Sequence, residues 1–197
     1  MLQLVASRRK EVGQSNWGWA LVRSSKGAKE VSDDRISEVP LVDAVDGFMR
    51  LAGQTTGKFD ARQACLYTGL VLEEVSEMID VIMGGCLTPA QTASLMALGT
   101  TLKMYASSFK SGLHEGDILR CNHADLIDAQ FDTAWVSIGA LMSTAVNPDE
   151  AIAHGTFTNL DKFRDGKCER DVNGKVKKPF DWRGPDFSPY VDPLPRV

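Results

Sequence analysis

The chain has 197 residues, of which 43% are hydrophobic, and a formal net charge of −4. This is enough apolar material for one principal core with appendages, and the acidic balance argues against a general nucleic-acid binder. Four cysteines lie far apart with no Cys-x-x-Cys pair, so neither a zinc site nor a disulfide framework is predicted. The sequence shows no run of 18 apolar residues and no signal peptide, so we expect a cytoplasmic protein without a membrane span.

Residues 1–38 are predicted to form an N-terminal extension. Asn16–Val22 places Trp17 and Trp19 on either side of Gly18, which is typical of a short strand with one aromatic face. Ser24–Gly27 would be the turn of a small hairpin, with the next four residues as its second strand. We expect this extension to pack on the core or on a partner subunit.

From Pro40 onward the apolar residues recur at helical spacing, and no long strand pattern follows. The sequence therefore predicts an all-α bundle of four to five helices over residues 39–163, followed by a C-terminal tail over residues 164–197. The predicted helices run from Pro40 to a stop at Gly53, from an N-cap at Asp60 to about Met83, from an N-cap at Thr88 to about Phe109, from His123 to about Val146, and from Asn147 to about Phe163. Ser111–Asn122 is expected to be a loop.

The second predicted helix carries three glutamates in an aliphatic run. Leu70, Met78 and Val81 share the face of Glu74 and Glu77, whereas Gly69, Glu73, Ser76 and Asp80 mark another, more polar face. We therefore expect Glu74 and Glu77 to be half-buried and Glu73 to face water.

The fourth predicted helix repeats this arrangement. Asp125, Asp128 and Asp132 follow one another at i, i+3 and i+7, in a stripe that Trp135 and Val136 extend. We expect this acidic stripe to point inward as well.

Two pairs of carboxylates brought together in a bundle would need divalent cations, because about four negative charges in a small volume repel one another. Oxygen ligands without His or Cys favour Mg²⁺ or Mn²⁺, and such sites normally complete their coordination with water and substrate phosphates. A di-iron site would need Glu-x-x-His on two helices, a motif that neither acidic pair provides. The pattern favours a carboxylate magnesium site between two helices, with phosphate chemistry as its function.

With these two acidic pairs, the chain resembles the MazG-like all-α nucleoside triphosphate pyrophosphohydrolases of phage and bacterial type. The resemblance begins with E-x-x-E at Glu74–Glu77 and D-x-x-D at Asp125–Asp128. It covers about residues 40–190 and includes the segments FMRLAG (48–53), RQACLYTGLVLEEVSEMID (62–80), NLDK (159–162), DGK (165–167), NGKVKKP (173–179) and GPDFSP (184–189). The family's second pair is usually E-x-x-D, so Asp125 is one methylene shorter than the usual ligand.

The resemblance implies Mg²⁺-dependent cleavage of a (d)NTP between the α and β phosphorus atoms, giving (d)NMP and pyrophosphate. It implies that Glu74, Glu77, Asp125 and Asp128 hold the metal, with Glu74 and Glu77 as catalytic residues and Glu74 the preferred residue to orient the attacking water. Asn159 and Lys162 resemble residues that reach the substrate phosphates, and Asp132 and Lys175 are possible additions to the site.

The predicted partners are the nucleotide and further copies of the same chain, with neither nucleic acid nor a membrane. The segment 161–183 carries eight basic and five acidic residues, a basic balance that suits a phosphorylated substrate. Apolar residues around most of the second and fourth helices favour a homodimer or homotetramer.

The phage-like tail suggests a role in deoxynucleotide pool control in a bacterial or phage-infected cytoplasm, with dGTP or dCTP as candidate substrates. Aromatic residues that could stack on the base are Phe48, Tyr67, Phe109 and Trp135. The alternatives are a dUTPase of the same fold and a non-catalytic, metal-binding helical adaptor.

Overall fold

The computed structural model of the chain describes residues 2–8, 17–23, 40–85, 88–163, 166 and 168–192. These residues form a mostly helical structure with one small hairpin. The elements in chain order are β1 (Leu2–Arg8), β2 (Trp17–Arg23), α1 (Leu41–Leu51), α2 (Ala61–Met83), α3 (Pro89–Lys110), α4 (Glu115–Arg120), α5 (His123–Thr144) and α6 (Pro148–Leu160). The predicted all-α character is thus confirmed for the part of the chain after Pro40.

The ends of the long helices lie close to their predicted positions, because local side-chain chemistry sets them. The Asp60 carboxylate accepts a hydrogen bond from the Gln63 backbone N–H and caps α2. Thr88 and Gln91 form a reciprocal capping box at the start of α3, where Pro89 takes the first helical position. After α1, Gly53 adopts a positive φ of 64°, a conformation that ends the helix.

One sequence-based expectation about local structure is wrong. The segment predicted as a loop between residues 111 and 122 contains a short helix, α4. The strand predicted around Trp17 and Trp19 is present as β2, and it pairs antiparallel with β1, with Leu2 opposite Arg23 and Arg8 opposite Trp17. The predicted turn at Ser24–Gly27 and the strand expected after it lie outside the described residues.

Contacts between Cα atoms group the chain into two compact units. The first contains Met1–Gln54, Thr133–Glu169 and Val176–Val197, and the second contains Thr55–Asp132 and Arg170–Lys175. The predicted division into an N-terminal extension, a helical domain and a C-terminal tail, with boundaries at residues 38 and 163, stays a prediction. Those boundaries divide the sequence into consecutive segments, whereas the two units are defined by contacts.

The first unit has a core around the end of α6. Its buried residues are Ala52, Phe163 and Val176, with Phe48, Leu51 and Cys168 packed against them. Phe48 of α1 and Phe163 meet edge to face, with their ring centroids 4.9 Å apart. This aromatic contact fixes α1 beside the end of α6.

The second unit is built on an antiparallel pair of long helices, α2 and α3. The α2 residues Gly69, Ser76 and Ile79 and the α3 residues Gly99 and Ala106 are buried. At one end of this unit, Ala61, Cys65 and Ile118 form a smaller core against α4. None of the described helices is long and apolar enough to cross a bilayer.

Candidate functional site

The face of α2 that packs against α3 is the one expected to be solvated. Gly69 and Ser76 are buried, and Glu73 and Asp80 on the same stripe are only partly exposed. We call Gly69, Glu73, Ser76 and Asp80 the packing stripe of α2. The expectation that this polar face would point to water is therefore wrong, because α3 covers it with small and basic side chains.

The residues of α3 that face this stripe have the same spacing along their helix. They are Gly99, Lys103, Ala106 and Lys110. The small residues let the two backbones approach closely. A Cβ atom built on Gly69 would lie 2.7 Å from Lys110 Cγ and 2.8 Å from the Ala106 carbonyl oxygen. The basic residues meet the acidic ones, since Lys103 Nζ lies 2.6 Å from Asp80 Oδ2.

Glu73 is the centre of a charged cluster in this unit. Lys110 Nζ donates to its Oε1 at 2.6 Å, and Lys175 Nζ donates to its Oε2 at 2.6 Å. Its side chain is 23% exposed. Burial raises the pKa of the Glu73 carboxyl, but the hydrogen bonds and charges of the two lysines outweigh this effect and hold the pKa below its ordinary value. Glu73, expected to face water, is a half-buried anion between two cations.

A tight turn places Lys175 against α2. The Asp171 carboxylate accepts hydrogen bonds from the backbone N–H groups of Asn173 and Lys175, and Gly174 takes a positive φ of 93°. Arg62 donates to the carbonyl oxygens of Asn173 and Lys110, so one guanidinium ties the turn to the end of α3. Lys175 is thus held by the fold beside Glu73.

The predicted ligands Glu74 and Glu77 lie on the outer side of α2. Both are exposed, as are Val71, Met78 and Val81, which are 42%, 53% and 79% exposed. We call these five residues the exposed face of α2. The expectation that Glu74 and Glu77 would be half-buried is wrong for the single chain, although the apolar neighbours expected around them are present.

The second predicted acidic group is exposed as well. Asp125, Asp128 and Asp132 follow one another on α5, a helix without a buried residue. The expectation that this stripe would point inward is wrong for the single chain. Among the described residues, no group of three or more His, Cys, Asp or Glu could hold a metal ion. Carboxylate oxygens suit Mg²⁺ chemically, but the described part of one chain does not gather enough of them for a cation site.

Asn159 and Lys162 belong to the first unit and contact each other. Lys162 Nζ donates to Asn159 Oδ1 at 2.7 Å and lies 5.1 Å from the ring centroid of Trp182. Lys178 Nζ lies 4.8 Å from the same ring, whose indole N–H donates to the Thr158 carbonyl oxygen. The structure thus brings two lysines to one tryptophan, and the predicted role of Asn159 and Lys162 in phosphate binding stays a prediction.

The aromatic residues considered for base stacking differ in their surroundings. Phe48 contacts Phe163, and Phe109 stacks on the His114 imidazole with ring centroids 4.2 Å apart. Trp135 is 69% exposed. Phe48 and Phe109 therefore have structural roles, whereas Trp135 presents its ring at the surface of α5.

Reasoning from the sequence missed the cluster of Glu73, Lys110 and Lys175. A signal for part of it was available, because Gly69, Glu73, Ser76 and Asp80 have the same i, i+4, i+7, i+11 spacing as Gly99, Lys103, Ala106 and Lys110. Two stripes of this kind, one acidic and one basic with small residues between the charges, predict that the two helices pack closely against each other. The contribution of Lys175 had no comparable local signal.

No protein-family model, curated protein or solved structure matches this chain. The resemblance drawn from its motifs therefore stays an expectation about function.

Proposed function

We propose that this protein is a Mg²⁺-dependent (d)NTP pyrophosphohydrolase that cleaves between the α and β phosphorus atoms and acts on the cytoplasmic deoxynucleotide pool. The observation that carries the proposal is the exposed face of α2, where Glu74 and Glu77 lie one turn apart among exposed apolar side chains. An ordinary solvated helix face would carry polar residues in place of Val71, Met78 and Val81. Carboxylates in apolar surroundings suit a site that becomes covered and holds cations.

We further propose that a second copy of the chain covers this face. Burying the three apolar side chains would favour association, because each fully buried residue of this size contributes about 1.5–3 kcal/mol. In a twofold-symmetric dimer the same patch meets itself or a second patch of its partner, so every carboxylate is present twice. A dimer therefore supplies both the cover and the additional ligands that the described part of one chain lacks. A homotetramer built from two such dimers would cover this face and supply the ligands in the same way.

In this site, bound Mg²⁺ would neutralise phosphate charge and lower the pKa of a bound water. Glu74, Glu77, Asp125 and Asp128 are the proposed ligands, and Asp132 lies one turn beyond them on α5. We propose Glu74 as the residue that orients the attacking water. As the resemblance implies, Asn159 and Lys162 are the proposed phosphate-binding residues, and Lys175 is a possible addition that would supply positive charge.

The test is a product assay on the eight common (d)NTPs and dUTP with Mg²⁺, in which mono- and diphosphate products are separated and pyrophosphate is detected. We expect monophosphate and pyrophosphate from one or two nucleotides, with dGTP and dCTP as the first candidates, and no product in EDTA. Turnover of dUTP alone would identify a dUTPase. Absence of turnover with Mg²⁺ and Mn²⁺ would favour the alternative of a non-catalytic, metal-binding adaptor.

Glu77→Gln and Asp128→Asn are each expected to lower kcat at least ~100-fold, because each removes a charged metal ligand. The far-ultraviolet circular dichroism should stay unchanged, since both side chains are exposed. Asp149→Asn, at another exposed carboxylate in the first turn of α6, is the matched control and should retain activity. Activity retained in both site variants would overturn the assignment of the ligands.

A further inference from the structure

Three polar side chains near the end of α3 form a hydrogen-bonded chain that the proposed nucleotide chemistry does not use. Ser108 Oγ lies 3.0 Å from His114 Nε2, and His114 Nδ1 lies 2.9 Å from Asp117 Oδ2. Ser108 is in the last turn of α3, His114 follows in the turn after it, and Asp117 is in α4. These distances suit an activated serine nucleophile, in which a base contacts the hydroxyl and a third group orients the base.

The carboxylate determines which imidazole nitrogen carries the proton. Its hydrogen bond with His114 and the nearby Arg120 guanidinium hold the pKa of Asp117 below its ordinary value, so this carboxylate is ionised at neutral pH. An ionised carboxylate accepts a hydrogen bond, so Nδ1 of a neutral His114 carries the proton and Nε2 presents a lone pair. Only the Ser108 hydroxyl hydrogen can then join Oγ to Nε2.

Protonation of His114 reverses this arrangement. The imidazolium donates from both nitrogens, so Nε2 donates to Ser108 Oγ, and the hydroxyl hydrogen points to the Tyr105 carbonyl oxygen, 2.9 Å from Oγ. Asp117 contacts the imidazole, and the Arg120 guanidinium contacts Asp117 in turn. Ser108 is therefore activated while His114 is neutral and blocked when His114 is charged.

The imidazole ring is held in place by its neighbours. It stacks on Phe109 with an interplanar angle of 27°. The Phe109 backbone is fixed in turn, because the fully buried Cys65 donates from Sγ to the Phe109 carbonyl oxygen at 3.1 Å. A base that is held before the reaction loses little entropy in reaching the hydroxyl. The Ser108 and His114 side chains are also partly accessible to solvent, as a reagent requires.

We propose that Ser108 is a nucleophile with His114 as its general base and Asp117 as a positioning residue, and that this surface accepts an acyl or phosphoryl group from an activated ester. With the probe diisopropyl fluorophosphate, Ser108 Oγ forms a bond to phosphorus and the phosphorus–fluorine bond breaks. Fluoride leaves, and the serine proton passes to His114 Nε2 and then to solvent. None of these three residues is among the carboxylates of the proposed nucleotide site.

The experiment is labelling of the full-length protein with diisopropyl fluorophosphate, followed by intact mass and peptide mapping. We expect one diisopropylphosphoryl group on Ser108. Ser108→Ala should abolish this label, and His114→Gln should slow it by about 100-fold or more. The exposed neighbour Ser107 is the matched control, because Ser107→Ala should label at the unchanged rate.

Asp117→Asn tests whether Asp117 helps to activate Ser108 or only packs against His114. It keeps the shape of the side chain but removes the charge that orients the imidazole, so labelling should slow and its pH profile should change while the helical circular dichroism is retained. If His114→Gln fails to fold, Asp117→Asn alone tests whether the imidazole activates Ser108. No label on Ser108, or a labelling rate that neither His114→Gln nor Asp117→Asn lowers, would overturn the proposal. NTP hydrolysis should be unchanged in Ser108→Ala, so the two proposals succeed or fail separately.

Discussion

The role of Glu73 is clear only from its contacts in the folded protein. In the sequence it lies on the more polar face of a helix, whereas in the structure Lys110 and Lys175 hold both of its oxygens. Hydrogen bonds to charged groups contribute more than neutral ones, about 1.5–3 kcal/mol each, when the pair is shielded from water. The residue therefore stabilises the second unit.

We expect Glu73→Gln to destabilise the protein by about 1.5–3 kcal/mol at pH 7, since it leaves two ammonium groups close together without their anion. Asp80→Asn removes the more exposed pair with Lys103 and should cost no more than about 1 kcal/mol. Urea unfolding at pH 7, followed by circular dichroism, compares the two variants. An equal loss in both would show that the Glu73 cluster has no special strength.

The same residue predicts a dependence of stability on pH. The folded-state pKa of Glu73 is below its ordinary value, so its contribution is present above the unfolded-state pKa and is lost as the pH falls through the folded-state pKa. The difference in unfolding free energy between wild type and Glu73→Gln should therefore shrink between about pH 5 and pH 3. A difference that stays constant over this range would contradict the assignment of the shift to Lys110 and Lys175.

At the level of elements, the helix ends were predictable and the packing faces were not. Asp60, Thr88 and Pro89 set helix ends through contacts within a few residues, which a sequence displays directly. The packing face of α2 depends on α3, whose small and basic residues make a polar stripe a better partner than an aliphatic one. Periodicity indicated a half-buried face around Glu74 and Glu77, but that face is exposed in the single chain.

The close approach of α2 and α3 gives a paired prediction for two glycines. Gly69→Ala places a methyl group within 2.8 Å of the Ala106 carbonyl oxygen, and we expect a net destabilisation of about 1–2 kcal/mol from overpacking. Gly99→Ala meets only ordinary contacts, at 3.5 Å from Asp80 Oδ1, and should stabilise the helix by up to about 1 kcal/mol. Thermal unfolding of both variants checks the opposite signs. Equal shifts would mean that α2 and α3 are not in close contact at Gly69.

For the molecule as a whole, the sequence predicted which carboxylates share a helix, but not whether they meet. Glu74 with Glu77 and Asp125 with Asp128 follow from helical spacing alone, which the structure reproduces on α2 and α5. Whether two helices bring their carboxylates together depends on tertiary and quaternary contacts, which have no local signal. Apolar residues are exposed among the carboxylates of α2, which is why we propose that association between chains brings the two acidic pairs together.

Val81→Glu tests this association. Val81 is 79% exposed in the single chain, so a solvated face would tolerate the change, whereas a dimer interface would have to bury an uncompensated charge. We expect a dimer for wild type and a monomer for Val81→Glu in gel filtration with light scattering. Val172→Glu, at a valine that is 99% exposed in the turn before Lys175, is the matched control and should remain dimeric. A monomeric wild type would refute the proposed dimer.

The contacts of the turn over residues 170–175 determine when the second unit can be completed during synthesis. Lys175 lies 102 residues from Glu73 along the chain, and Arg62 lies 111 residues from Asn173. A nascent chain that has reached Asp132 contains α2, α3 and α4 before this turn has been translated. At ~5–20 residues per second, the ribosome needs about 2–9 s to add the remaining stretch. Until Lys175 has been added, Glu73 lacks its second ammonium partner, so this unit can acquire its full stability only late in translation.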